Sequence, residues 1–284
     1  MVSLVFTTGA VLEGFSVVTL APNVPGPVAA ARMRDLGARV RKIESPAGDM
    51  LQWMAPAWYA ALHRGCEVET LDLRDAAGRR ALDERLSDAD VLLTSSRPSS
   101  LERIGLSWEA LRERHPRLVQ VAIVGEEPPH AERAGHDLTY VAQLGLVAPP
   151  GLPRTLIADL AGAERAVTAA CGLLLRRERA GETACAFVSL RDAAGPFGEP
   201  RAHGLTAPDG VLGGGFAGYG IYRASDGWIA LAALETHFWK RVHVALDLAF
   251  PAPAEALVEA FAKRDVAAWE AWAQTHDIPL ARLT

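Results

Sequence analysis

Through the first two-thirds of the chain, short apolar runs alternate with stretches in which apolar residues recur at helical spacing. FSVVTLAP, Phe15 to Pro22, is a run of the first kind and predicts a buried strand. PVAAARMRDLG follows with a helical period and closes on Gly37, and ARVRKIES reads as the next strand. The alternation continues: GRRALDERLSDA is a helix leading into the strand DVLLTSS, and SWEALRERHP is a helix leading into LVQVAIVG. Strands separated in this way by helices predict parallel strands with crossover connections, an open α/β sheet. Ligands of such sheets usually sit in the loops that follow the strands.

From about Arg191 the texture changes. RDAAGPFGEPRAHGLTAPDGVLGGGFAGYG is rich in glycine and proline and shows no sustained period, so 191–220 is expected to be a long linker. Beyond it, two β-runs flank Ser225-Asp226-Gly227, a hairpin signal, and helical patterns continue to the end. The expected organisation is a large α/β domain over 1–190, the linker, and a small α+β domain over 221–284.

Composition narrows the classes of function. Half of the 284 residues are apolar, enough for a sizeable core, and the formal charge of -5 argues against a general nucleic-acid binder. Three cysteines without CxxC spacing suggest reduced thiols in a cytoplasmic protein, not a disulfide frame. The opening MVSLVFTTGA is apolar, lacks basic residues and is too short to cross a bilayer, so a soluble protein without a membrane partner is expected. The histidines show no HExxH spacing, and no metal site is expected. Gly213 to Gly218 satisfies GxGxxG literally, yet it follows a proline- and glycine-rich stretch and precedes a β-run, so it reads as a hinge.

The chemistry-bearing candidates lie at element boundaries. In AGHDLTYVAQLGLV, His136 and Asp137 precede a helical run formed by Leu138, Val141, Ala142 and Leu146. Asp159 likewise precedes Leu160, Ala163, Val167, Ala170, Cys171 and Leu174, which share one helical face. Aspartate at a helix start is most simply a cap. Glu235 ends the apolar run IALAALE, and Lys42 and Arg97 stand near strand ends, where a phosphate ligand needs positive charge. Taken singly, each reads better as a cap or a surface charge than as a site residue.

Taken together they form a pattern. PGPVAAARMRDLGARVRKIESPAGD, TLDLRDAAGRRAL, ADVLLTSSRPSSLERIGLSWEALRERHPRLVQVAI and RAGHDLTYVAQLGLV resemble the class III CoA-transferase and α-methylacyl-CoA racemase family. The resemblance continues through ADLAGAERAVTAACGLLLRRERAGE, YRASDGWIALAALETHFW and DVAAWEAWAQTHDIPLA, in family order over nearly the whole chain. It implies a Rossmann-like large domain, a small domain and a homodimer of interlocked subunits. The substrate class it implies is acyl-CoA thioesters, with coenzyme A part of the substrate and no permanently bound cofactor.

The family's shared aspartate falls on Asp159, the racemase histidine on His136 and its glutamate partner on Glu235. The coenzyme-phosphate contacts fall on Lys42 and Arg97, and Asp137 is counted with them, besides being the expected cap of its helix. His136 favours the racemase branch, because many transferases carry another residue there. The expected reaction is racemisation of 2-methyl-branched acyl-CoA by two acid/base groups acting on opposite faces through an enolate. Two alternatives stand beside it: a CoA transferase working through an acyl-Asp159 intermediate, and a catalytically lapsed acyl-CoA-binding homologue. Two departures from the family are visible. GEEPPHAERAG, with Glu126 and Glu127, replaces a glycine-rich turn, and the sequence stops at Thr284 where the family normally continues.

Overall fold

The structure, a computed structural model, describes residues 10–284; the apolar start discussed above lies outside the described residues except for Ala10. The first unit runs to Phe197 and the second from Gly198 to Thr284. In the first, β1 (Ser16–Thr19), α1 (Pro25–Asp35) and β2 (Arg39–Glu44) are followed by the short helices α2 (Leu51–Met54) and α3 (Pro56–Leu62). Then come β3 (Glu67–Thr70), α4 (Ala76–Ser87), β4 (Val91–Thr94), α5 (Pro98–Arg103), α6 (Trp108–Arg114) and β5 (Val119–Val124). The unit closes with α7 (Asp137–Gln143), α8 (Ile157–Ala180), β6 (Cys185–Ser189) and α9 (Leu190–Ala202), the last of which extends into the second unit.

All six strands are parallel, in the order β3-β2-β1-β4-β5-β6. Alternation along the strands divides the apolar side chains between two layers. Val17, Val40, Val91, Leu93 and Val121 meet α1 and α8 on one face, while Val18, Ile43 and Leu92 meet α4, α5 and α6 on the other. Alanines make the first layer close: Ala29 and Ala30 of α1 share a cluster with Ala163, Ala166 and Ala170 of α8. α8 stops at Gly181, whose φ of 69° lies in the left-handed region that favours glycine. The chain order reverses between β1 and β4, where crossovers leave the sheet in opposite directions and open a crevice at the carboxyl ends.

β3 is an edge strand that the hydrophobic pattern does not reveal, because it buries little. Its two glutamates are paired, Glu67 with Arg41 at 2.5 Å and Glu69 with Arg85 at 3.0 Å.

The second unit contains β7 (Tyr219–Arg223), β8 (Trp228–Ala232), α10 (Thr236–Leu246), α11 (Ala254–Phe261), α12 (Val266–His276) and β9 (Leu280–Arg282). Its antiparallel sheet, in the order β7-β8-β9, contains the expected hairpin, with Arg223 opposite Trp228 across the Ala224–Gly227 loop. Its core is aromatic, and Trp269 donates its indole N–H to the Phe261 carbonyl at 2.8 Å.

The linker expected over 191–220 is not irregular throughout. Residues 190–202 form α9, in which Ala193 and Ala194 are buried, despite Pro196 and Pro200. Gly213 to Gly215 belong to a compact π-type turn, not to a phosphate loop.

Lys42 also departs from expectation. Its side chain is 2% exposed, and its ammonium contacts the Asp49 carboxylate, lies 3.1 Å from Glu44 and 3.1 Å from His63 Nε2. The charge that was expected to meet coenzyme phosphate is spent inside the protein. Asp49 continues the network, accepting from the backbone N–H groups of Asn23 and Leu51 at 3.0 Å each. It thereby ties the loop after β1 to the start of α2. Removing one partner of a buried ion pair leaves an uncompensated charge. Asp49→Ala is therefore expected to lower unfolding free energy by about 3 kcal/mol, measured by urea denaturation.

Candidate active site

The loops after β1, β4 and β5 and the starts of α7 and α8 surround a pocket of about 600 Å³. It lies within the first unit, at the place where the strand order reverses. Pro22, Val24 and Pro25 come from the loop after β1, Ser95, Ser96 and Arg97 from the loop after β4, and Gly125 from the end of β5. The long connection from β5 to α7 adds Arg133, Gly135 and His136.

His136 is the N-cap residue of α7, in extended conformation, and its backbone N–H donates to Thr139 Oγ1 at 3.1 Å. The Thr139 hydroxyl in turn donates to the His136 carbonyl at 2.8 Å. The histidine is thus held by its backbone, and its exposed side chain remains at the pocket wall.

Asp137, the first helical residue of α7, does cap a helix, but the helix is α8. Its Oδ1 accepts from the backbone N–H groups of Ala158 at 2.6 Å and Asp159 at 3.1 Å. The N-cap position of α8 is Leu156, which has no oxygen to offer, so the free amides take a carboxylate from the neighbouring helix. Asp137 is buried and its Oδ1 is engaged in this cap, while the residue also borders the pocket.

Asp159 lies in the first turn of α8 and borders the same pocket. Burial pushes its carboxyl up to about 6, the negative charge of Asp137 adds to the rise, and His136 opposes it. A helix N-terminus ordinarily favours carboxylate. Here desolvation and a second carboxylate outweigh it, so Asp159 can hold or release a proton near neutrality.

Arg97 is exposed at the N-cap position of α5 and borders the pocket, so of the two cations expected to meet phosphate only this one faces open space. Glu235 is the exposed N-cap residue of α10 in the second unit and is not among the residues that form this pocket. Glu126 also stays out of the lining, paired with Arg133 at 3.5 Å, and Glu127 is likewise absent from it. Sequence reasoning missed Ser95, Ser96, Arg133 and Tyr140. Tyr140 had one available signal, its place four residues after His136 and hence on the same helical face. Among the described residues no group of three or more histidines, cysteines or carboxylates could hold a metal ion, and no helix is long and apolar enough to cross a membrane.

A family model described as CoA-transferase family III matches residues 12–284. A probable fatty acyl-CoA transferase of Mycobacterium tuberculosis is 27% identical over 265 residues, covering 81% of this chain and 67% of that protein. The human α-methylacyl-CoA racemase is 29% identical over 257 residues, covering 84% of this chain and 65% of the human one. The chain thus spans about two thirds of the length of these relatives. A crystal structure of the mycobacterial protein superposes with a TM-score of 0.82 at 26% identity, over 96% of this chain and 82% of the other. A CaiB/BaiF family protein from Brucella suis superposes with a TM-score of 0.79 at 23% identity, over 98% of this chain and 85% of that one, which speaks to the fold alone. With parallel sheet, crevice and family model in agreement, the chain belongs to CoA-transferase family III.

Proposed function

We propose that the chain is a racemase of 2-methyl-branched acyl-CoA thioesters, with His136 and Asp159 as its two acid/base groups. The observation that carries this reading is their common placement on one pocket, where burial pushes the Asp159 carboxyl up to about 6. Inverting the carbon beside a thioester requires one group to remove its proton and another to return a proton from the opposite face. A histidine and a carboxyl whose proton affinity burial has raised can exchange those roles. Arg97 is the coenzyme-phosphate contact in this reading, by its exposed position on the pocket rim. His136 and Asp159 suffice for the proton transfer proposed here, and Glu235 is given no step in it.

The second reading is a CoA transferase, favoured by the mycobacterial relative's name and by the same half-buried Asp159. There a carboxylate oxygen of Asp159 attacks the thioester carbonyl, the C–S bond breaks and coenzyme A leaves as thiolate, giving an acyl-aspartyl anhydride.

One experiment separates the two. In D₂O, without an acceptor acid, 2-methylacyl-CoA is expected to acquire α-deuterium, followed by NMR, and His136→Ala and Asp159→Ala each abolish the exchange. Absence of deuterium together with hydroxylamine capture of an acyl group at Asp159 replaces racemisation with transfer. Absence of both leaves neither chemistry. Arg97→Ala is expected to weaken binding of acyl-CoA about tenfold by calorimetry, with a smaller salt dependence. Unchanged affinity removes Arg97 from the coenzyme site.

Asp159 also has a stability signature. Its pKa is raised in the folded protein, so its contribution to stability is fully present below the unfolded value of 3.8 and is lost as pH rises through about 6. The shift corresponds to at most about 3 kcal/mol. Asp159→Asn is therefore expected to raise the urea midpoint at about pH 8 and to lose that advantage near pH 3.5. The variant gains stability where it loses activity.

A further inference from the structure

Tyr140 is 4% exposed, and it stands on the pocket that holds His136 and Asp159. Its hydroxyl is seated between Gly125 and Gly135: a Cβ on either glycine would overlap the phenolic oxygen. Both glycines also line the pocket, so the hydroxyl end of the ring is the end turned to the cavity. Neither glycine has a positive φ, so backbone conformation does not demand them. What they provide is room for this oxygen.

Among the described residues, no backbone or side-chain group hydrogen-bonds the Tyr140 hydroxyl, although Glu126 and Asp159 are near enough to act on it through their charges. Burial and those two carboxylates push its proton affinity up, so at neutral pH the phenol is a donor. The oxygen is not among the side-chain atoms sealed from solvent without a partner, so it opens onto the cavity, where a ligand atom can take its hydrogen. A donor with room made for it by two glycines, at a pocket wall and within reach of the charge on Asp159, is placed to meet a ligand atom.

We propose that the Tyr140 hydroxyl is the hydrogen-bond donor to the thioester carbonyl oxygen of the acyl-CoA held in this pocket, which makes it a further catalytic residue. The inference rests on the acyl-CoA reading of the site but not on either branch of it. Removing an α-proton turns the carbonyl oxygen into an enolate oxygen, and attack by Asp159 turns it into the oxyanion of a tetrahedral adduct. In both, negative charge grows on the atom that Tyr140 meets, where a fixed donor strengthens its bond as the reaction proceeds. Asp159 and Tyr140 then have separate tasks: the carboxyl moves the proton or makes the bond, and the phenol stabilises the charge left behind.

Tyr140→Phe removes the oxygen and keeps the ring. The expected result is a fall in kcat of about 100-fold, in whichever of the two assays the native protein is active, with KM changed little. Thermal unfolding of the variant is expected to be unchanged or higher, because no bond within the protein is lost; a hydroxyl with a structural task gives the opposite sign. The direct measurement is isotope-edited infrared spectroscopy of bound pivaloyl-CoA carrying ¹³C at the thioester carbonyl, a substrate analogue without an α-proton. A hydrogen bond lowers its stretching frequency on the native protein, and in Tyr140→Phe the band returns toward its free position.

A carbonyl shift that depends on Tyr140, on a native protein without either activity, overturns the proposed function and the catalytic task of Tyr140, and keeps its hydrogen bond to the thioester carbonyl. An active native protein whose rate and carbonyl band are untouched by Tyr140→Phe overturns this inference and keeps the function. A variant that loses activity together with thermal stability also overturns it, since the hydroxyl then serves the fold. Failure of both pivaloyl-CoA and 2-methylacyl-CoA to bind the native protein overturns both.

Discussion

One carboxylate organises the candidate site. Asp137 belongs to α7 by sequence and to α8 by function, because its oxygen accepts the amides of Ala158 and Asp159 that α8 cannot satisfy with its own Leu156. The bond fixes where a helix of 24 residues begins, and so where Asp159 stands. It also places a negative charge beside Asp159, and together with burial that charge raises its proton affinity. The position of Asp159, and the smaller part of its raised proton affinity after burial, thus trace to Asp137. His136, the residue before Asp137, is drawn to the same pocket by the backbone they share.

The sheet supplies the other half of the arrangement. Strand order reverses between β1 and β4, and the loops leaving them bring apolar Val24 and cationic Arg97 to one crevice. The buried Lys42–Asp49 pair secures the first of those loops from beneath, through the Asn23 amide. A charge buried at the end of β2 therefore shapes the pocket without entering it.

The regular elements were legible in the sequence where a periodic apolar pattern met a burial surface. β1, β2, β4 and β5 coincide with the apolar runs, and the face of α8 holding Ala163, Val167, Ala170 and Leu174 is the one the spacing picks out. β3 escaped notice because an edge strand needs no such run, and α9 because its glycines and prolines mimic a linker. Of the site, His136, Asp159 and Arg97 were readable through resemblance and do share a pocket. The inward partners of Lys42 and Asp137 were not legible for one reason: a charge near a strand or helix end can turn inward, and which group receives it depends on contacts distant in sequence or on a neighbouring helix. Tyr140 offered the sequence only its spacing from His136, because its significance lies in two glycines that only the fold brings to either side of its hydroxyl.

The charged edge of the six-stranded sheet has a consequence for how copies of this chain can meet. A parallel sheet that ends in an exposed strand offers its unpaired backbone to any other strand in solution. Along β3 that offer is hedged by Glu67 and Glu69, each held in place by an arginine from within the same unit. An incoming strand would set its own side chains beside these charges and find little apolar contact there. Charge on this edge thus disfavours the apolar strand pairing on which growth of a sheet from chain to chain depends.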